Sequence, residues 1–479
     1  MKRRLPILAA LLLLAAVVAA GAAGSAAARG APAPRPPSIG ISPAREFAPR
    51  RVVLKFRGER FGRTVKLPPR VGVRSAAAAL RNDPRVAYAA PDYIATASGW
   101  PASASRQTAV ASRRAAMAPA RDPAASPFVP NDPGPLYGPR APGGWALKQW
   151  NFLPWQEEGT PALPTSPGGI DAVGAWQNLI AAGRPGAAGI TVAVLDTGIA
   201  YRSAGRRFRR SPDFGRGQFV PGYDFVANDR LPLDQNGHGT HVAGTIAEKT
   251  GNGIGLTGLA YGAKLMPVRV LDRHGTGEAG KIAKGIRFAV DHGADVINMS
   301  FNFDCGRRVP SVNEELLRAY RHGVVTVASA GNVGSESCVA PPATGPHVIG
   351  VGGTTEGGCM GEYSLAGKGI DVVAPGGGEP MEGCPSVLSR PIFQVTLQGS
   401  NPGEFGEPAD YVGTSMAAAH VSGVAALTLA SAVPKPRGVR ALVRRLERRL
   451  RETARDIGAP ATLQGAGLID AARATDPSE

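Results

Sequence analysis

The chain has 479 residues and a formal net charge of +17, and 43% of its residues are hydrophobic. This length allows a large core and more than one domain. Residues 1–149 hold 23 Lys and Arg against 6 Asp and Glu, whereas residues 150–479 hold 31 of each. Because the positive excess lies wholly in the N-terminal third, we predict no nucleic-acid partner.

The N-terminus has the pattern of a secretory signal peptide. Lys2, Arg3 and Arg4 precede an apolar run over residues 5–20, and small residues with an A-x-A-like site follow. We therefore predict a signal peptide over residues 1–28 and a secreted protein. An uncleaved anchor is the alternative, because the run is long. No later stretch is apolar enough to cross a bilayer, so we expect no stable membrane insertion.

Next come a predicted Pro-rich spacer over residues 29–49 and a small α+β unit over residues 50–97. In this unit "RRVVLKFRG" and "RVAYAAPDYIA" read as strands, and "SAAAALRNDP" reads as a helix that ends at Pro84. Residues 98–130 are rich in Ala, Ser, Arg and Pro and have no periodicity. We predict an exposed linker there, open to a maturation cleavage.

The pattern changes near Trp150, where strands and helices alternate. Near-continuous apolar runs predict strands buried on both faces of a parallel sheet, in "GITVAVLDTGI", "LMPVRVLD", "ADVINMS", "GVVTVASAGN" and "HVIGVGG". Helical stretches such as "AGKIAKGIRFAVDHG" separate them. We therefore predict an α/β fold with a mostly parallel central sheet and helices on both faces, and functional groups at the carboxyl ends of the strands.

Polar residues of complementary chemistry stand at the ends of these elements. Asp196 ends one buried strand, His238 enters a helix between two glycines, and Ser415 lies at the start of a helix rich in small residues. A hydroxyl that attacks a carbonyl needs a base, and the base needs a carboxylate to orient it. Asn332 follows another strand, where its amide suits a developing oxyanion. Taken alone, Ser415 reads equally as an ordinary helix cap.

There are four cysteines, at 305, 338, 359 and 384. An even number in an exported chain favours two disulfides, and free buried thiols are the alternative. The residues alone leave three connectivities open.

Four blocks in this order resemble the subtilisin family of serine proteases: "VAVLDTGI", "NGHGTHVAGT", "ASAGN" and "GTSMAAAHVSG". Residues 50–97 are similar to the inhibitory propeptide of that family, and residues 131–475 to its catalytic domain. The resemblance implies a subtilisin-like fold, and it implies a triad of Asp196, His238 and Ser415, with Asn332 in the oxyanion hole.

The resemblance also implies a substrate segment that begins at Ser300. The family usually has glycine two residues later, where this chain has Asn302, so a preference for large apolar side chains is in doubt. The loop 250–258 resembles the family's calcium loop, with Asp213 and Asn252 as candidate ligands; an ordinary Gly/Asn turn is the alternative. On the family's sheet, Cys305 would pair with Cys338, which leaves Cys359 and Cys384 as the second pair.

We therefore expect a secreted serine endopeptidase that is made as a self-processing preproenzyme and acts on proteins or peptides as a monomer. Its propeptide would be an intramolecular inhibitor. Its chemistry would need no cofactor, and any calcium would be structural. The alternatives are a processing protease with few substrates and an inactive binding module.

Overall fold

The computed structural model describes residues 46–98, 128–136, 143–156, 163–332, 338–399, 401–431 and 438–479. The predicted signal peptide, most of the spacer and most of the linker lie outside the described residues. The chain divides into two compact units. The first holds the described residues up to Ile94 with two short segments, 278–280 and 309–311, and the second holds the rest from Ala95 onward.

The first unit is an antiparallel sheet covered by one helix. Strand β1 (Phe47–Phe56) pairs with β2 (Arg63–Lys66) and with β3 (Val86–Ala97). Helix α1 (Val73–Arg81) buries residues at i, i+3, i+4 and i+7 in the core of this unit. The helix was predicted to end at Pro84, and it ends just before that residue, because the residue that precedes a proline avoids helical backbone angles. β2 was not predicted, since it is short and only partly buried.

In the described residues, the strands after β3 are β4 (Thr191–Asp196), β5 (Tyr223–Asp224), β6 (Lys264–Arg269), β7 (Thr276–Glu278), β8 (Val296–Met299), β9 (Phe301–Asn302), β10 (Val325–Ser329), β11 (Val348–Thr354), β12 (Val372–Pro375), β13 (Thr396–Gln398) and β14 (Asn401–Gly406). Seven of them form the parallel sheet of the second unit, in the order β12-β11-β10-β8-β4-β6-β5. All five apolar runs predicted as strands are strands of this sheet. The predicted fold class is confirmed.

The remaining helices are α2 (Trp145–Lys148), α3 (Ala172–Ala181), α4 (His238–Ala247), α5 (Ala279–Asp291), α6 (Pro310–His322), α7 (Thr414–Ala430), α8 (Val439–Glu452), α9 (Ala461–Gln464) and α10 (Ala471–Thr475), with 3-10 turns at Trp150–Phe152 and Pro185–Ala187. Helix α7 packs against the sheet and is buried along nearly its whole length. A Cβ added at its Gly423 would lie 2.8 Å from Leu259 Cδ2. Glycine at this position therefore allows α7 to pack closely against Leu259.

Candidate functional site

The ends of the sheet strands and of two helices supply the candidate residues. Asp196 is the last residue of β4, and Ser300 directly follows β8. His238 is the first residue of α4, and Ser415 is the second of α7. Because the carboxyl ends of parallel strands share one edge of a sheet, residues distant in sequence come together there.

Asp196 and His238 form a buried pair. The Nδ1–H group of His238 donates to Asp196 Oδ1 over 2.8 Å, and both side chains are fully buried. The Thr197 backbone N–H also donates to Oδ1, at 2.7 Å. This bond at Nδ1 orients the ring and leaves Nε2 as the proton acceptor. Nε2 itself has no hydrogen-bond partner among the described residues.

Asp234 organises the entry to α4 through five hydrogen bonds. Its Oδ1 accepts from Thr197 Oγ1 and from the backbone N–H groups of Asn236 and Gly237. Its Oδ2 accepts from both the backbone N–H and the hydroxyl of Thr240. These bonds join the turn after Asp196 to the helix that carries His238, so Asp234 positions both members of the pair.

The two glycines that flank His238 are required by the backbone. Gly237 has φ of 105°, a conformation that favours glycine. A Cβ at Gly239 would lie 2.2 Å from the Gly198 carbonyl oxygen. The helix can therefore approach the end of β4 only with glycine at this position.

Ser415 lies in a buried hydrogen-bond chain. Its Oγ donates to the Ser300 carbonyl oxygen at 3.1 Å, while Ser300 Oγ donates to the Ser415 carbonyl oxygen at 3.0 Å. Asn298 donates to Ser300 Oγ and accepts from Ser422 Oγ, and so it links the two segments beneath Ser415. In this conformation Ser415 Oγ is hydrogen-bonded to Ser300 and not to His238.

The amide of Asn332 is oriented by its oxygen. Asn332 Oδ1 accepts from the Thr414 backbone N–H at 2.9 Å and from Thr414 Oγ1 at 2.7 Å. The Nδ2 donor is therefore the end of the amide that is left for another ligand. Thr414 directly precedes Ser415, so α7 sets the direction of the Asn332 donor.

Ser98, which the sequence did not single out, lies among these residues. In the second unit, Thr96 and Ala97 of β3 pair antiparallel with Asn302 and Phe301 of β9. The Ser98 carbonyl oxygen accepts from the Ser415 backbone N–H at 3.0 Å, and the Ser98 N–H donates to the Ser300 carbonyl oxygen at 3.2 Å. The extended segment that leads to Ser98 thus places the Ser98 carbonyl on the backbone donor of Ser415. No motif marked Ser98, because this contact depends on tertiary structure.

The candidate calcium ligands lie together, but they bond to each other. Asn252 Nδ2 donates to Asp213 Oδ1 at 2.8 Å, and Asp213 Oδ2 accepts from the Leu256 N–H. Asp132, which sequence reasoning did not name, accepts from the N–H groups of Gly251 and Asn252. Burial, followed by the charges of Asp132 and Glu407, raises the pKa of Asp213 well above its usual range. Among the described residues, no group of three or more His, Cys, Asp and Glu is placed to hold a metal ion.

Both disulfides have the pairing that the resemblance implied. Cys305 is bonded to Cys338, and Cys359 is bonded to Cys384. The first bridge joins the chain after β9 to the chain after β10, and therefore two segments that flank Ser98.

The family model of the subtilases, described as "Subtilase family", matches residues 187–467. The chain belongs to the subtilase family. It is 39% identical over 242 residues to a thermophilic serine proteinase of Bacillus sp. (strain AK1), a match that covers 50% of this chain and 52% of that relative. The chain thus spans about half the length of that protein.

Other relatives are covered more completely. Over 290 residues the subtilase is 36% identical to Subtilisin Savinase of Lederbergia lenta, covering 60% of this chain and 91% of the relative. Over 307 residues it is 34% identical to Thermitase of Thermoactinomyces vulgaris, with 64% and 93% covered. A solved protease of Pseudoalteromonas arctica superposes with a TM-score of 0.57 and 30% identity, covering 73% of this chain and 99% of that one.

The relative from Bacillus sp. and the solved protein are named as proteases, and the subtilase is similar to both over the matched residues. None of the helices in the described part of the chain is both long and apolar enough to cross a membrane.

Proposed function

We propose that this subtilase is a secreted serine endopeptidase that is made as a precursor and cleaves itself, with Asp196, His238 and Ser415 as its triad. One observation carries the proposal. The carbonyl of Ser98 accepts a hydrogen bond from the Ser415 backbone N–H, as a scissile carbonyl would. The predicted signal peptide and the two disulfides support export, because disulfides persist in oxidising compartments.

In the proposed mechanism, Ser415 Oγ leaves the Ser300 carbonyl and passes its proton to His238 Nε2 as it bonds to the substrate carbonyl carbon. The Ser415 N–H and Asn332 Nδ2 stabilise the negative oxygen of the tetrahedral intermediate. The C–N bond then breaks, and His238 gives the proton to the departing amine. Water repeats the sequence on the acyl-enzyme and releases the acid. Asp196 holds the ring and stabilises the imidazolium throughout.

The bond that follows Ser98 is our candidate for the first self-cleavage. The sequence alone allows the maturation cleavage anywhere from residue 97 to residue 130. The structure lets us propose one bond, Ser98–Gly99. Residues 46–94 form a compact unit with a core of its own, which suits a propeptide that remains folded after the cut. After the cut, the new carboxylate of Ser98 would still accept from the Ser415 N–H, and the Ser98 N–H would still donate to the Ser300 carbonyl oxygen, so the product would stay bound and inhibit the enzyme.

The test is intact-mass analysis and N-terminal sequencing of purified wild type and of Ser415→Ala. We expect wild type to give two fragments, with the larger one beginning at Gly99, and Ser415→Ala to remain uncut there. A fluorophosphonate probe should label Ser415 in activated wild type but not in His238→Ala. Normal processing of Ser415→Ala in a protease-free preparation would contradict self-cleavage. If the probe does not label Ser415 after the propeptide has been removed, that result would favour the inactive binding module.

We also propose that the segment around Asp132, Asp213 and Asn252 binds a structural calcium ion. Carboxylate and carbonyl oxygens suit this cation, and it would offset the negative charge that these buried groups place close together. The expected result is that calcium raises the midpoint of thermal unfolding of Ser415→Ala by several degrees, and that Asp213→Asn abolishes the rise. Asp272→Asn is the matched control, since Asp272 caps a separate turn through the N–H groups of His274 and Thr276. An unchanged midpoint of thermal unfolding of Ser415→Ala on addition of calcium would exclude the site.

A further inference from the structure

The side chain of Ser98 lies in a polar pocket. Its hydroxyl donates to Asn302 Oδ1, and Ser329 Oγ donates to the Ser98 hydroxyl at 3.1 Å. Ser329 is fully buried, and its hydroxyl also lies 3.2 Å from Asn302 Oδ1. Ser98 itself is 5% exposed. A small hydroxyl side chain thus fills this pocket and is hydrogen-bonded on both sides.

The direction of the Asn302 amide is fixed. Asn302 Nδ2 donates to the Ser329 carbonyl oxygen at 2.6 Å, so the acceptor Oδ1 is the end that faces Ser98. Backbone contacts fix the same wall, because the Phe303 N–H donates to the Pro341 carbonyl oxygen at 2.8 Å. The disulfide between Cys305 and Cys338 lies just beyond this bond. Because these bonds do not involve Ser98, the acceptor Oδ1 of Asn302 is already oriented toward the hydrogen-bond donor of a substrate that binds in the pocket.

We propose that Asn302 is a specificity-determining residue that restricts this subtilase to peptide bonds preceded by a small hydroxyl side chain, serine first and threonine second. The proposal rests on the proposed function, since it assumes that Ser98 precedes the bond that Ser415 attacks. A large apolar side chain would displace the hydroxyl, so that Asn302 Oδ1 and Ser329 Oγ would each lose their bond to it and keep only the bond to each other. The loss of hydrogen bonds at buried polar groups disfavours a wrong side chain.

The proposal also explains why glycine is absent from position 302. Glycine would open the pocket and remove its acceptor, whereas asparagine narrows the pocket and places one acceptor at its base. Cleavage after Ser98 and selection of serine in other substrates are then two results of the same contact.

The experiment uses activated enzyme and peptides with the sequence of residues 93–100, in which the residue at position 98 is serine, threonine, alanine, leucine or phenylalanine. Active sites are counted beforehand with the fluorophosphonate probe, which reports Ser415 independently of this pocket. We expect wild type to cleave the serine peptide with kcat/KM about 10- to 100-fold above that of the leucine and phenylalanine peptides. Asn302→Gly should lose this preference and gain activity on phenylalanine. Asn228→Gly is the matched control, because Asn228 is an exposed residue with φ of 63° that glycine tolerates.

A wild-type preference for leucine or phenylalanine over serine would overturn the inference while labelled Ser415 left the proposed function intact. Failure to label Ser415 would instead overturn the proposed function, and the inference with it. Should Asn302→Gly fail to fold, the wild-type profile and the precursor Ser98→Leu still decide the matter. We expect Ser98→Leu to process about 10- to 100-fold more slowly than wild type, by intact mass against time. An equal rate would contradict the inference.

Discussion

At the scale of single residues, Thr414 connects Ser415, the proposed nucleophile, to Asn332, the proposed oxyanion donor. It precedes Ser415 in α7, donates twice to Asn332 Oδ1, and accepts from the Gly331 N–H at 3.2 Å. One side chain therefore orients a group that lies 82 positions earlier in the chain. An oxyanion donor stabilises a transition state only when its direction is set in advance.

We predict that Thr414→Val lowers kcat about tenfold, because Asn332 loses one of its two bonds and its amide is less well oriented. KM should change little, since the substrate's ground state does not need the developing charge to be stabilised. The measurement is steady-state kinetics on the serine peptide. Thr428→Val is the control, because Thr428 lies in the same helix and bonds only within it. Equal kinetics for the two variants would show that Thr414 has no positioning role.

At the scale of elements, β9 and the end of β10 lie on the two sides of Ser98 and form the walls of the proposed substrate pocket. Both segments are held together by the first disulfide and by the bond from Asn302 Nδ2 to the Ser329 carbonyl. The second disulfide, between Cys359 and Cys384, lies after β11, on a separate part of the chain. The two bridges close loops of similar length, but the first lies next to the segments that contact Ser98 and the second does not.

We predict that removing either disulfide, by changing both of its cysteines to serine, lowers the free energy of unfolding by about 3–4 kcal/mol, since both loops constrain the unfolded chain similarly. Only Cys305→Ser with Cys338→Ser should also raise KM for the serine peptide, because it frees the wall that carries Asn302. Denaturant unfolding and steady-state kinetics separate the two effects. A rise in KM with both pairs of changes would indicate a general loss of structure.

At the scale of the whole molecule, two buried histidines limit stability in acid. Burial lowers the pKa of His241 to about 3 and that of His420 to about 4. His241 donates through Nε2–H to the Ile392 carbonyl, and it stacks on Tyr411, as expected for a structural histidine. His420 donates through Nδ1–H to Met416 and accepts from Asn151 at Nε2. A second proton on either ring would find no hydrogen-bond acceptor among the described residues.

We predict that stability falls as the pH is lowered from about 6.5 to about 4, by about 1.4 kcal/mol per pH unit for each histidine. The sign follows from proton uptake. Both folded pKa values lie below the unfolded value near 6.5, so in this interval the unfolded chain binds more protons and acid favours unfolding. The measurement is denaturant unfolding of Ser415→Ala at several pH values, which avoids self-digestion. The further change His420→Gln should reduce the slope of the free energy of unfolding against pH by about the contribution of one histidine. An unchanged slope would contradict the assignment of this contribution to His420.

Much of the fold and of the candidate site follows from local sequence. Apolar runs such as Val192–Leu195 predict buried strands, because only a sheet covered on both faces buries every side chain of such a run. Asp196, His238, Asn332 and Ser415 are recognisable for a similar reason, since each polar residue interrupts an apolar or small-residue pattern at the end of an element. β2 and β5 were missed because they are short and carry little of that pattern.

The tertiary structure decided what depends on contacts between distant segments. Asp234 reads as a turn residue in sequence, yet five hydrogen bonds make it the organiser of the Asp196–His238 pair. Ser98 has no sequence signal at all, yet its carbonyl reaches the Ser415 N–H, because β3 pairs with β9. The sequence by itself thus determined the class of chemistry, through residue types at element ends. Only the folded chain determined that the peptide ending in Ser98 lies against them and that the Ser98 hydroxyl is bonded to Asn302 and Ser329, because hydrogen-bond direction arises only when these segments meet.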